Sequence, residues 1–302
     1  MKVVIIGGVA GGATAAARIR RLDEKAEIVV FERSGFISYA NCGLPYYIGG
    51  TIEDEGDLTL QTPESFYKRF RVKMNVRHEV TALHPESKMV TVKNIENGTV
   101  FTETYDKLIL SPGAKPIKPN FEGIDSDKIF TLRTVEDTLK IKKFINEKYP
   151  KSAVVVGGGF IGIEVVENLR ELGIDVTLVE AADQLMAPFD SDMASFIHAE
   201  LRKNGINLML GRFVEGFADT DDGICVKLKN SPTLHANMVV MAIGVAPETT
   251  LAKDAGLELG IKGSIVVNDR METSVTDIYA VGDAVQIRNF VTDTDALISL
   301  AG

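Results

Sequence analysis

Cysteine is scarce in this 302-residue chain, which has only Cys42 and Cys225, far apart in sequence. Two such residues build neither a disulfide framework nor a zinc site. The usage fits a reducing compartment. Excess positive charge is also missing. The formal balance is −9, which argues against a nucleic-acid partner, because that needs a clustered basic face. The uncharged run Val3–Ala17 falls short of the ~20 mostly apolar residues of a membrane span. It is rich in glycine and alanine and reads as a buried strand followed by a small-residue helix. The apolar start is too short for a signal peptide, and a structured motif begins inside it. The expectation is a cytoplasmic protein with no membrane association and no metal.

What is present points to duplication. The length allows about two domains at ~150 residues each. Val3–Ile6 is a short continuous apolar run, the pattern of a buried parallel strand. Gly7-Gly8-Val9-Ala10-Gly11-Gly12 follows it, then the helix-friendly Ala13–Arg21, then a second apolar strand, Ile28–Phe31, ending at Glu32. Glycines let a backbone approach a pyrophosphate, a helix N-terminus offers free N–H groups, and the acid takes a ribose diol. Val9 departs from G-x-G-x-x-G, which has a glycine there. The pattern returns as the strand Ala153–Val156, the complete motif Gly157-Gly158-Gly159-Phe160-Ile161-Gly162, the helix Ile163–Leu172 capped by Gly173, and the strand Val176–Val179 ending at Glu180. Gly7 and Gly157 stand at the same interval as Gly12 and Gly162. Two copies at domain spacing, each with its acid, imply two dinucleotide-binding domains.

Between the copies, Thr62–Phe70 reads as a helix with Pro63 at its first position and Glu64 in its first turn. Val76–Leu83, Lys88–Lys93 and Thr99–Tyr105 read as strands, the last two joined through Asn97-Gly98. Lys107–Leu110 is another strand, Lys115–Gly123 a crossover between domains, and Thr134–Glu147 a helix. After Glu180 come a helix near Asp190–Lys203, short strands up to Met238–Ile243, and the strand Asp277–Val281 with Gly282-Asp283 at its tip. Ala301-Gly302 is an abrupt end with no helical pattern behind it.

Cys42 lies in Ser38–Tyr46, directly after the first motif. A thiol a few residues past a dinucleotide site implies electron traffic between cofactor and sulfur. The Gly43-Leu44-Pro45 that follows suits a first helical turn, whose N-terminus favours an anionic sulfur. The competing reading is a buried structural cysteine. That reading wins for Cys225, which alternates with Ile224 and Val226 in a strand pattern.

These motifs resemble the FAD-dependent pyridine nucleotide–disulfide oxidoreductases, and most of all their single-cysteine coenzyme A–disulfide reductases and NADH-dependent persulfide reductases. Four stretches carry the resemblance: Gly7–Gly12 with Glu32, Ser38–Cys42, Gly157–Gly162, and Thr276–Asp283. It implies an α/β fold of two Rossmann-like domains in three ββα layers. FAD binding is expected over 1–117 and 245–302, and NAD(P)H binding over 118–244. The cofactor-binding positions it implies are Gly7, Gly8, Val9, Ala10, Gly11, Gly12, Glu32, Arg33, Asn41, Val80, Ser111, Gly113, Gly157, Gly159, Phe160, Ile161, Gly162, Glu164, Glu180, Gly244, Gly282 and Asp283. Asp283 would hold the flavin ribityl chain.

Dithiol relatives use C-x-x-x-x-C, but Ile37 and Tyr47 occupy the positions five away from Cys42. Cys42, the expected nucleophile, must then share its disulfide or persulfide with a substrate. The resemblance supports Arg21, Ser38 and Asn41 as contacts to coenzyme A, as substrate or bound ligand, with Arg18 on the same helix face as Arg21. Relatives carry a basic residue where Phe70 stands, and Arg69 or Arg71 would replace it. Glu180 repels a 2′-phosphate, and no Lys or Arg occurs from Glu180 to Glu200, so NADH is favoured over NADPH. An NADH oxidase or peroxidase cycling Cys42 through sulfenic acid is the alternative. No histidine precedes His78, which counts against it. The family's C-terminal dimerisation domain and flavin-covering helix have no counterpart here. A homodimer is the family's rule, and a nucleotide-binding module without turnover is a third reading.

Overall fold

The computed structural model of the chain describes residues 1–298; the expected end at Ala301-Gly302 lies outside them. Two compact units emerge. The first comprises Met1–Ala40, Thr59–Lys115 and the stretch from Ala246 onward; the second comprises Asn41–Leu58 and Pro116–Val245.

In the first unit, β1 (Lys2–Ile6) leads into α1 (Ala10–Leu22) and then β2 (Glu27–Phe31). A five-stranded parallel sheet forms in the order Ile278–Ala280, Lys107–Leu110, β1, β2, Lys73–Asn75. β1 is central and covered on both faces, which explains its unbroken apolar run. Val3 and Ile5 pack with Ala13 and Ala16 of α1. Val4 and Ile6 face Val80, Val90 and Val92 of an antiparallel sheet, His78–His84, Met89–Asn94 and Val100–Thr104. Helix, parallel sheet and antiparallel sheet make the three expected layers.

The second unit begins, by packing, with α2 (Leu44–Gly49). Its framework is α3 (Val135–Lys148), β3 (Ser152–Val156), α4 (Phe160–Glu171) and β4 (Asp175–Val179). The parallel sheet runs Asn207–Met209, β4, β3, Met238–Met241, Ile129–Thr131. The antiparallel strands Val214–Thr220, Gly223–Leu228 and Leu234–Ala236 contribute Phe217, Ile224 and Val226 to the core beneath Val154, Val156 and Val179.

Residues 41–58 pack with the second unit. α2 comes so close to α4 that a Cβ on Gly49 would lie 2.1 Å from Asn168 Oδ1. Lys142 of α3 donates to the Ile48 carbonyl at 2.8 Å and sits 5.7 Å from the Tyr47 ring centre. This cation closes the C-terminal end of α2, where carbonyls lack intrahelical partners.

The helix expected from Thr62 runs Pro63–Phe70, with Thr62 and Ser65 forming a reciprocal capping box. The strand expected over Val76–Leu83 starts two residues later and runs His78–His84. Arg77 adopts φ 56, a left-handed turn that ends one strand at Asn75 and starts the next, in the other sheet, at His78. Both motif helices start three residues before their expected positions, at Ala10 and Phe160. The last glycines of each motif are therefore helical residues and not part of the preceding turn.

Candidate active site

The two glycine motifs fold alike. Gly7 has φ +101 and Gly157 φ +108, a region open to glycine at little cost. A Cβ on Gly12 would stand 1.8 Å from the Gly7 carbonyl oxygen, and one on Gly162 would stand 1.9 Å from that of Gly157. Helix and turn meet at a distance only glycine permits. The acids repeat as well. Gly8 N–H donates to Glu32 Oε2 at 2.7 Å, and Gly158 N–H donates to Glu180 Oε2 at 2.6 Å. The other oxygens accept from Ser34 and Ala182 N–H, both at 2.8 Å. Each carboxylate oxygen keeps a lone pair for a ribose hydroxyl.

Neither α1 nor α4 has a capping side chain or an acid in its first turn. Two other helices are closed by full capping boxes, Thr62 with Ser65 and Thr134 with Asp137. The helix Ser191–Lys203 also lacks a side-chain cap but carries Asp192 in its first turn, which repels an anion. The bare starts of α1 and α4 leave N–H donors and the positive end of the helix dipole for a pyrophosphate. The residues present thus fit a dinucleotide in each unit.

The middle position of the motif explains Val9. Its counterpart Gly159 has φ −81, and a Cβ there would meet nothing within 4 Å. The protein itself does not require glycine at this place, so Val9 can start α1 without strain.

Around the first motif, Ser111 joins several expected residues. Its carbonyl lies 2.0 Å from a Cβ built on Gly7, and its Oγ lies 2.5 Å from one on Gly11 and 3.5 Å from one on Gly282. Gly113 (φ 69) and Gly282 (φ 83) turn the chain on either side, with Asp283 following. Ser38 (φ 51) donates its N–H to the Gly8 carbonyl at 3.0 Å, so its backbone buttresses the motif. Arg33 is exposed at the end of β2. The side chain of Val80 is buried in the core. Its backbone lies beside a bulge between Val80 and Ala82.

Arg18 and Arg21 are exposed on α1. Arg21 lies 5.7 Å from the Phe70 ring centre and Arg69 lies 5.2 Å from it, so Phe70 is flanked by two guanidinium groups. Arg20 fixes the end of that helix by donating to the carbonyls of Phe70 and Arg71. Of Arg69 and Arg71, the two arginines expected to stand in for a basic residue at Phe70, Arg69 lies over its ring.

In the second unit, Cys42 is an exposed free thiol in the 3₁₀ turn Asn41–Gly43, directly ahead of α2. Asn41 donates to the Arg133 carbonyl at 3.2 Å. Tyr46 follows Cys42 by one helical turn. Burial first, then negative charge from Glu164, Glu167 and Cys42, raises the Tyr46 phenol above its usual value and keeps it protonated. Glu164 is itself raised by burial and then by Glu167. Phe160 is half-exposed and meets Phe189 edge-on, with ring centres 6.4 Å apart. Gly244 (φ 122) accepts from Ile117 N–H at 3.0 Å.

Three features were not read from the sequence. Arg212 donates its backbone N–H to the Glu180 carbonyl, because the pairing of β4 with Asn207–Met209 brings that distant turn to the corner. Tyr46 and the acids of α4 meet only through the packing of α2. The turn at Leu185–Met186 beneath Gly158 has no sequence signal, since its left-handed residue is a methionine.

Duplicated cradles of this geometry, one per unit, fit two dinucleotides. The profile of the pyridine nucleotide-disulphide oxidoreductase family matches residues 1–296, and the chain belongs to that family. A coenzyme A disulfide reductase of Staphylococcus aureus (strain JH9) is 40% identical over 300 residues, 99% of this chain and 67% of that protein. The crystal structure of reduced CoADR-RHD from Bacillus anthracis has TM-score 0.96 at 49% identity, covering 99% of this chain and 54% of that one. The structure of a NAD-dependent persulfide reductase from A. fulgidus has TM-score 0.95 at 35% identity, covering 99% and 56%. The chain therefore spans about two thirds of the curated relative and little more than half of the two solved ones. The resemblance and the fold class read from the motifs are borne out. Among the described residues no helix is long and apolar enough to cross a membrane, and no group of three His, Cys, Asp or Glu side chains is placed to hold a metal.

Proposed function

We propose that the chain reduces a disulfide or persulfide with electrons from NADH, using FAD and Cys42, and that coenzyme A disulfide or persulfide is the substrate. The observation that carries this reading is the exposed thiol of Cys42 in a turn with no cysteine partner; the chain's other cysteine lies in a separate strand beside His235. FAD, when bound, supplies the two-electron relay between nicotinamide and sulfur.

The chain's own residues do the rest. The α1 N-terminus and Glu32 hold the pyrophosphate and ribose of FAD, and Asp283 its ribityl chain. The α4 N-terminus and Glu180 do the same for the adenosine half of NADH. The Cys42 thiolate attacks a substrate disulfide, R–S–S–R. One sulfur joins Cys42, and the other leaves as a thiolate that takes a proton. Two electrons and a further proton then return the mixed disulfide to the Cys42 thiolate and R–SH, so NADH and a proton are consumed for two thiols. Arg18, Arg21 and Arg69 receive the phosphates of the coenzyme. Glu180 favours NADH over NADPH by charge.

Cys42→Ser is the direct test. The variant should retain flavin absorbance and NADH binding while NADH-dependent turnover of coenzyme A disulfide and persulfide falls by at least about a thousandfold, the usual scale for removing a nucleophile. Full turnover by Cys42→Ser removes the proposal. Peroxide consumption equal to disulfide turnover in the unmodified protein favours the sulfenic acid cycle instead.

A further inference from the structure

The turn after β4 hangs from a histidine. Leu185 N–H donates to His198 Nε2 at 3.0 Å. A neutral imidazole accepts at one nitrogen, and a protonated one accepts at neither. The bond therefore exists only while His198, half-buried on the helix Ser191–Lys203, is neutral with its proton on Nδ1.

Much depends on Leu185. It is fully buried and fills the space in front of Gly158. A Cβ on that glycine would lie 2.2 Å from Leu185 Cδ2 and 3.2 Å from Glu180 Oε2. The next residue, Met186, has φ 51, a conformation that bulky L-residues rarely adopt. Its N–H donates to the Gly158 carbonyl at 2.9 Å. Two backbone bonds thus hold a strained turn against the second glycine motif, and one of them ends on a titratable group. The same loop reaches Phe189, which meets Phe160 at the start of α4.

We propose that His198 is a positioning residue for the nicotinamide dinucleotide site: its neutral imidazole pins Leu185 and so shapes the Gly158–Glu180 corner that receives the adenosine. The proposal rests on the reading of the second motif as the NADH site. His198 itself touches neither cofactor nor substrate.

The charges around His198 set the sign. Burial first, then Arg202 one turn along the same helix, lowers the imidazole below its usual 6.5. From the loop, Glu180 is bound to the Gly158 and Ala182 amides, and the Asp183 carboxylate lies toward Gly211. The strand Asn207–Met209 packed against the helix carries no ionisable side chain. The pin is therefore complete above pH 6.5 and is lost as pH falls through the lowered value.

The test measures the NADH dissociation constant by titration for wild type, His198→Gln and His198→Phe, from about pH 8 to about pH 5.5. The Leu185 amide is followed by NMR over the same range without dinucleotide. Glutamine offers a carbonyl oxygen at every pH, whereas phenylalanine offers no acceptor. Wild type should lose roughly 3–10-fold in NADH affinity on acidification, the scale of one hydrogen bond, and its Leu185 amide should titrate with the imidazole. His198→Gln should bind like wild type at pH 8 and stay flat. His198→Phe should be weak throughout, with flavin content unchanged. A Leu185 amide indifferent to the imidazole, or wild-type pH dependence in His198→Gln, overturns the proposal. Absence of NADH binding by wild type at any pH overturns the reading of the second motif and the proposal with it. That outcome is told apart by a Leu185 amide that still titrates.

Discussion

Single atoms decide what each glycine of the motifs is for. A methyl on Gly12 would have to share space with the Gly7 carbonyl, which is backbone and cannot step aside. Gly12→Ala should destabilise the first unit by about 1–3 kcal/mol, as overpacking does, and lower its melting temperature. Gly159 is the opposite case, with an ordinary φ and open space on its Cβ side. Gly159→Ala should leave the melting temperature unchanged and weaken NADH, because the methyl meets ligand and not protein. A melt that moves equally in both variants would contradict this division. The same contrast shows how much a motif reveals. Gly12 and Gly162 announce themselves in the sequence because their own backbone demands them. Val9 looks like a defect until the open space at Gly159 shows that the surrounding protein does not demand glycine there.

Elements are tied together by a few charges placed where strands begin. Asp277, in a left-handed turn (φ 68), receives both Lys107 at the start of the neighbouring parallel strand and Lys88 from the antiparallel sheet. The two cations, Lys107 first, hold its carboxyl below the usual 3.8. A depressed carboxylate stabilises the fold above its unfolded value, and that contribution is lost as pH falls through the folded one. Asp277→Asn should therefore be less stable than wild type at neutral pH and decline less steeply below about pH 4, as measured by urea midpoints across pH. Parallel slopes would remove the clamp. The lysines are partly exposed, at 49% and 37%, so solvent limits the effect.

At this scale the sequence was readable wherever one element answered one pattern. Thr62-Pro63 gave the start of a helix correctly because the cap is local. The start of the strand read from Val76 fell two residues early because nothing in an arginine signals the left-handed turn at Arg77. Residues 41–58 could not be assigned to the second unit because their contacts, Gly49 with Asn168 and Ile48 with Lys142, lie some hundred residues away.

Across the whole molecule, an acidic chain of formal charge −9 displays exposed arginines on α1 and beside Phe70. If coenzyme A phosphates bind there, attraction is local and screenable. Raising ionic strength from about 0.05 to about 0.5 M shortens the Debye length severalfold. The KM for coenzyme A disulfide should then rise while that for a small uncharged disulfide stays nearly level. Arg21→Ala should remove most of the difference. Equal salt responses for the two substrates would place the phosphates elsewhere.

Thr62 and Thr134 finish their helices with side chains of their own, whereas α1 and α4 borrow that finish from whatever anion arrives. A dinucleotide is in this sense a removable piece of each unit's secondary structure, and its binding energy is folding energy. Bleaching and melting of the first unit should accordingly trace one curve, with free FAD in the buffer moving both to higher temperature.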